Sequence, residues 1–199
     1  MARIDSRENR VFLAPKTNKY LSVLQQKIEG YLRKEQLLKK DEYIKLEKPF
    51  LKKARKNFTV ANLMFKISEQ DEFKKLLALS QDFETYEWVI VVSYYSMYVS
   101  ALSALARLGF KSKSHAATII VLEHYYVNRQ KNLEVKHIQQ LVKAYALSEN
   151  LINKLILTKT KRETAQYDAT PNISRENAIS SLSDAEEFIT KIEEILQER

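Results

Sequence analysis

The stretch WVIVVSYYSMYVSALSALA, from Trp88 to Ala106, has no charged residue in a chain of which 29% is Asp, Glu, Lys or Arg. Its length is close to the about 20 residues that a membrane-spanning helix needs. Its composition argues against a bilayer, because lipid offers no hydrogen-bond partner to hydroxyls at the centre of a span. Four serines recur at every third or fourth position: Ser93, Ser96, Ser100 and Ser103. Three tyrosines lie near the middle rather than at the ends, where interfacial belts place them: Tyr94, Tyr95 and Tyr98.

The same stretch predicts a helix packed inside a protein. Spacings of three and four residues predict one inward stripe, with the small serines beside it allowing a second helix to approach closely. This stripe comprises Trp88, Val92, Tyr95, Val99, Leu102 and Ala106. We therefore expect the central buried helix of a soluble bundle rather than a membrane span.

Composition indicates an all-helical chain. Two glycines and three prolines among 199 residues leave little turn chemistry for sheets, and the length suits one domain. The absence of cysteine excludes disulfides and thiolate metal sites. The short apolar run from Val11 stops at Pro15, too early for a secretory signal, so we expect a cytoplasmic location.

Positive charge is concentrated at the N-terminal end. Residues 1–57 contain 16 Lys or Arg and 7 Asp or Glu, whereas the remaining residues contain 17 and 18. Such a region attracts phosphate backbones or anionic surfaces, although a solvated helix face with lysines for solubility is the alternative interpretation. The nucleic-acid-binding candidates here are Lys52, Lys53, Arg55 and Lys56.

The remaining pattern predicts how the helices follow one another. Residues 18–46 favour one kinked helix or two short ones, and Pro49 favours the start of the next. The uncharged helix should end at Gly109, in the left-handed conformation. Three serines are predicted to cap helices: Ser114, Ser148 and Ser174. Ser148 is expected to start a new helix that reaches about residue 166. We predict a basic, partly helical extension over residues 1–48 and a bundle of five to six helices over 49–199.

Several kinds of chemistry are excluded by the sequence. Glycine occurs only at positions 30 and 109, so neither a phosphate-binding P-loop nor a dinucleotide fingerprint is possible. His115 and His124 would lie on opposite sides of a helix, and His137 is in another segment, so we expect no histidine metal site. Paired glutamates near the C-terminus are most simply a solvated face. No metal or other cofactor is expected.

Arg162 occupies a position where the pattern calls for an apolar side chain. The inward stripe of its helix runs through Leu151, Leu155 and Thr158 before reaching Arg162, and a buried guanidinium without a partner would be costly. It could pair with a carboxylate, line a polar cleft or meet a phosphate at a subunit interface. Alternatively it reaches solvent at a helix end, or pairs with Asp168. Three nearby lysines favour a phosphate: Lys154, Lys159 and Lys161.

Three segments together resemble the HEPN superfamily over roughly residues 49–196. SYYSMYVSALSALARLGF is similar to the second helix of that family, and KSHAATI follows it after a basic turn. KRETAQYDATPNISRENAISSLSDAEEFITKIEEIL is similar to the arginine, Tyr-Asp and final-helix block. The resemblance implies an antiparallel all-α bundle that forms a homodimer. In many members it also implies a metal-independent endoribonuclease of toxin-antitoxin or defence systems, often encoded beside a minimal nucleotidyltransferase.

The resemblance also implies which residues form the site. The family signature is an Arg followed four to six residues later by a His in the dimer cleft, where the arginine stabilises phosphorane-like charge and the imidazole moves protons. Arg162 matches the arginine, whereas Tyr167 and Asp168 stand where the histidine would be. A tyrosine, whose usual pKa is about 10, is a poor proton shuttle at neutral pH. By position in this signature, Arg162 and Tyr167 are the candidate catalytic residues of an RNA-directed protein.

Two readings without catalysis remain beside the ribonuclease. One is a dimeric helical partner of a nucleotidyltransferase or another defence protein. The other is a structural adaptor in which Arg162 is a buried pairing residue.

Overall fold

The computed structural model describes the backbone of residues 18–162 and 174–198 and the side chains of residues 19–149 and 174–198. This part of the chain forms seven α-helices, a short antiparallel strand pair, a 3₁₀ helix and a π-helical segment. The helices are α1 (Asn18–Arg33), α2 (Glu47–Glu69), α3 (Asp71–Leu76), α4 (Tyr86–Arg107), α5 (His115–Leu122), α6 (Val135–Arg162) and α7 (Arg175–Gln197). The strands are β1 (Leu37–Lys39) and β2 (Phe110–Ser112); the 3₁₀ helix spans Asp41–Leu46 and the π-helical segment Glu123–Arg129. The predicted all-α fold is confirmed.

The chain forms two compact units. Among the described residues, the first comprises those up to Leu51, Ser100–Gln139 and those from Lys191 onward. The second comprises the described residues of Lys52–Val99 and Gln140–Thr190.

In the first unit, α1 packs on α5 and the π-helical segment. It buries Leu24 and Ile28 completely or nearly so, and the Tyr20 hydroxyl donates to the Glu123 carboxylate. Burial raises the pKa of both Tyr20 and Glu123 above their ordinary values. The N-terminal part of the described chain is thus anchored by apolar packing and by one polar contact.

The predicted helix over residues 18–46 was wrong beyond Arg33. Glu35 adopts a positive φ of 52°, and the chain then runs as β1 antiparallel to β2, with Leu37 opposite Ser112 and Lys39 opposite Phe110. The pairing depends on a strand more than 70 positions away, which local periodicity does not reveal. Gly109, just before β2, has the predicted left-handed φ of 74°.

In the second unit, a core cluster joins residues of α2, α4 and α7. Its buried members are Ala61, Tyr86, Val89, Ala178 and Leu182. The predicted inward side of α7 is confirmed along its length, since its five predicted residues are all buried: Leu182, Ala185, Ile189, Ile192 and Leu196.

The predicted inward face of α4 was wrong at Trp88 and Tyr95, although two of its other residues, Val99 and Ala106, are buried. Trp88 and Tyr95 are 45% and 42% exposed, whereas all four serines of the helix, from Ser93 to Ser103, are buried. A helix that is apolar on nearly every side gives no strong periodic signal, so the smallest residues decide where neighbours approach most closely. Although α4 is long and apolar enough to cross a membrane, 78% of its apolar window is buried within the protein. It is therefore an interior helix of a bundle.

Two of the three predicted serine caps are confirmed. The Ser114 and Ser174 hydroxyls accept from the backbone N–H of Ala117 and Asn177, each at 3.4 Å. Ser148 was wrongly predicted to start a helix: it lies inside continuous α6, fully buried, and its hydroxyl has no hydrogen-bond partner. Serine acts as an N-cap only where a helix begins, and here tertiary packing carries α6 continuously through position 148.

Candidate functional site

Four of the predicted site residues lie at the end of α6. Lys154, Lys159, Lys161 and Arg162 all lie on the last nine residues of this helix, a rise of about 12 Å along its axis. Their backbone is described, but their side chains lie outside the described residues, and so does all of Tyr167 and Asp168. α6 is one helix of 28 residues rather than two shorter ones, and Arg162 is its last residue. The Arg162 and Tyr167 site stays a prediction.

The basic residues predicted on α2 are divided between two directions. Lys52, Lys53 and Lys56 are exposed on one side of the helix. Arg55 is partly buried instead, and its Nη2 donates to the Thr190 hydroxyl of α7 at 3.1 Å. The three lysines form a solvent-facing group that Arg55 does not join.

A polar triad in the second unit was not predicted from the sequence. Arg175, the first residue of α7, donates from Nε to the Glu69 carboxylate at 2.7 Å, and its Nη2 lies 2.6 Å from the same oxygen. The Tyr86 hydroxyl donates to the other Glu69 oxygen at 2.7 Å. The hydrogen bond from Arg175 is the main cause that lowers the pKa of Glu69, while burial raises the pKa of Tyr86 to about 12. The triad joins the end of α2 to the starts of α4 and α7.

A second arginine, Arg107, lies in the first unit at the end of α4. It donates to the backbone carbonyls of Ile195, Leu196 and Glu198, and its Nε lies 3.3 Å from the Glu47 carboxylate. A guanidinium is well suited to the unpaired carbonyls at a helix C-terminus, where the helix dipole is negative. An open cleft of about 510 Å³ lies here, lined by Arg107, Tyr126, Gln130, Asn132, Ile195 and Glu198. Because the Arg107 guanidinium donates to these carbonyls, we assign Arg107 a structural role at the end of α7.

The histidines in the described part of the chain do not converge on one site. His124 is completely buried and neither ring nitrogen has a hydrogen-bond partner, so burial, helped by the charge of Arg129, lowers its pKa. The Nδ1 of His137 accepts from the backbone N–H of Glu134 at 3.1 Å. Among the residues with described side chains, no three His, Asp or Glu are grouped so as to hold a metal ion.

The sequence signal for these residues was uneven. Arg162 was predicted because it interrupts an apolar stripe. Glu69 and Arg175 are 106 positions apart, so no spacing rule could connect them before the helices were packed.

Comparison with known proteins supports the resemblance seen in the sequence. The HEPN domain family model matches residues 71–195, well over half of the chain, and this range includes α4, α6, Arg162 and all but the last two residues of α7. No curated protein and no solved structure matches the chain. The match begins at residue 71, beyond the predicted boundary at residue 48 between extension and bundle. That boundary therefore stays a prediction. With the helical bundle described above, the match shows that this chain belongs to the HEPN domain family.

Proposed function

We propose that this HEPN protein acts on RNA in a cytoplasmic toxin-antitoxin or defence setting, with the end of α6 as its RNA-contacting element. The observation that carries the proposal is the family match over residues 71–195, because it places Arg162 inside the HEPN domain. Three lysines on the same nine residues of α6 add positive charge: Lys154, Lys159 and Lys161. Four cations along about 12 Å suit contacts to successive phosphates.

The chemistry assigned to this site is phosphate recognition by Arg162. A guanidinium binds two phosphate oxygens at once and stabilises the charge that develops during attack by an RNA 2′-hydroxyl. In the family signature a histidine moves the proton, and here Tyr167 stands at that position. A phenol with the ordinary pKa of about 10 transfers protons poorly at pH 7. We therefore expect slow, metal-independent RNA cleavage whose rate increases toward alkaline pH.

The test is an RNA-cleavage assay in EDTA with the full chain. Wild type should cleave a structured RNA, and Arg162→Ala should lower the rate by at least about 100-fold, as expected on removing a group that stabilises the transition state. Lys143→Ala is a matched control, because Lys143 is an exposed cation on the same helix, outside the proposed cluster. If Arg162→Ala and Lys143→Ala both cleave RNA as fast as wild type, the Arg162 site is not catalytic. RNA binding that depends on Arg162 without cleavage would identify a binding relative of the ribonucleases.

A second function is favoured by one observation, the Tyr-Asp pair in place of the histidine. In this proposal the protein is a non-catalytic homodimer that binds a nucleotidyltransferase-type antitoxin partner. Light scattering should then give twice the monomer mass of 23.3 kDa, and the protein should copurify with a nucleotidyltransferase encoded beside it. A monomer that neither binds RNA nor retains the enzyme would contradict both functions.

A further inference from the structure

The solvent face of α2 in the second unit is long, continuous and uncovered. Seven exposed residues form it: Lys52, Lys53, Lys56, Thr59, Val60, Leu63 and Lys66. They recur at spacings of three and four, opposite the buried Ala54 and Ala61, and the face extends for about 21 Å. We call these seven residues the α2 face.

Charge and apolarity are arranged in order along the α2 face. Three lysines occupy one end and Lys66 the other, and no acidic residue occurs anywhere from position 48 to 68. Between the two basic ends lie Val60 and Leu63, which are 37% and 50% exposed. Two neighbouring aliphatic side chains are therefore exposed between lysines of the same helix, a composition that suits contact with a partner.

We propose that the α2 face docks an acidic amphipathic helix of a partner protein. A helix laid along α2 would place an apolar side chain against Val60 and Leu63 and its carboxylates beside the lysines at both ends. The length of about 21 Å corresponds to about four turns of such a helix. Charge complementarity sets its orientation and speeds the encounter, and the aliphatic pair supplies the desolvated centre.

The same residues are poorly suited to RNA. Aliphatic side chains neither stack on bases nor bind phosphates, and the two aromatic residues of α2 nearest the aliphatic pair, Phe58 and Phe65, pack against the core cluster. Arg55, the residue on this helix best suited to a phosphate, donates to Thr190 instead. A protein helix therefore fits the α2 face better than the nucleic acid that its lysines alone predicted.

The experiment is a selection from displayed helical peptides of about 14 residues, the four turns that match this length, varied on one face among Glu, Lys, Leu and Ser. The full-length protein is the target, and the selected peptides are measured by fluorescence anisotropy. We expect enrichment of Leu near the centre and Glu toward both ends. The double variant Val60→Ser/Leu63→Ser should weaken binding about tenfold or more, and Lys52→Glu/Lys56→Glu should weaken it by a similar factor and remove most of its salt dependence.

Matched controls separate docking from loss of fold. Leu76→Ser changes a leucine that is 78% exposed elsewhere in the second unit, and Lys143→Glu reverses an exposed lysine on α6; both should bind the selected peptides like wild type. Circular dichroism should show unchanged helicity in every variant. The proposal is overturned if the peptides show no such pattern, or bind Val60→Ser/Leu63→Ser as tightly as wild type. It is equally overturned if oligouridine RNA or phosphatidylserine vesicles bind this face and depend on its lysines alone.

Discussion

Replacing Ser96 by leucine tests which side of α4 faces the interior. Ser96 has no exposed surface, and its hydroxyl donates to the Val92 carbonyl at 2.8 Å. Leucine adds two heavy atoms at a position with no direction open to solvent. Overpacking of this kind costs about 1–3 kcal/mol, and we expect about 2 kcal/mol here. For a chain of this length that loss lowers Tm by about 4–8 °C.

The neighbouring Tyr95 supplies the opposite change. It is 42% exposed, and its ring lies 5.3 Å from that of Tyr94. Tyr95→Ser removes this contact and little buried area, so we expect a loss of about 0.5–1 kcal/mol. Had the spacing-derived face been the inward one, the order would be reversed, with Tyr95→Ser costly and Ser96→Leu harmless.

Urea unfolding followed by circular dichroism at 25 °C measures both free energies of unfolding. Ser96→Ala is the control for the hydroxyl, because the Val92 carbonyl keeps its helical hydrogen bond, and its stability should lie within about 0.5 kcal/mol of wild type. The reasoning about serine packing is refuted if Ser96→Leu is as stable as wild type, or if Tyr95→Ser is the more destabilised of the two.

Three further predictions concern the polar groups and the turn. Burial and the charge of Arg129 lower the pKa of His124, so its contribution to stability is full above the unfolded-state pKa of about 6.5 and is lost as the pH falls. His124→Gln should therefore flatten the decline in unfolding free energy between pH 7.5 and 5.5. Equal slopes for the variant and wild type would contradict this. Glu69 has a pKa lowered chiefly by Arg175, so its contribution is present above the ordinary carboxyl range and is lost toward pH 3; wild type and Arg175→Ala should differ in Tm at pH 7 and converge at pH 3. Gly109→Ala places a side chain at a φ of 74° with a backbone carbonyl at 3.3 Å, and should destabilise the protein by about 1–2 kcal/mol in urea unfolding; an unchanged midpoint would show that the turn relaxes freely.

Local signals in the sequence predicted most of the helices. The apolar side of α7, the caps at Ser114 and Ser174 and the left-handed Gly109 all depend on residues within one or two turns of each other, and all are confirmed. The cap predicted at Ser148 failed because the same local preference was overruled by packing around α6.

The candidate site was predictable only in part. Arg162 interrupts an apolar pattern, and that irregularity can be read in one segment of sequence. The Glu69, Tyr86 and Arg175 triad depends on three helix ends brought together by packing, which no pattern within a single helix encodes.

The sequence by itself determined an all-helical chain with a charge-free interior helix, because composition, periodicity and capping are properties of short segments. Only the tertiary structure decided which side of that interior helix faces inward. Nearly every position from Trp88 to Ala106 is compatible with burial, so hydrophobicity cannot choose a face. Close packing chooses it: the buried serines allow neighbours to approach, and the bulky Trp88 and Tyr95 remain at the surface.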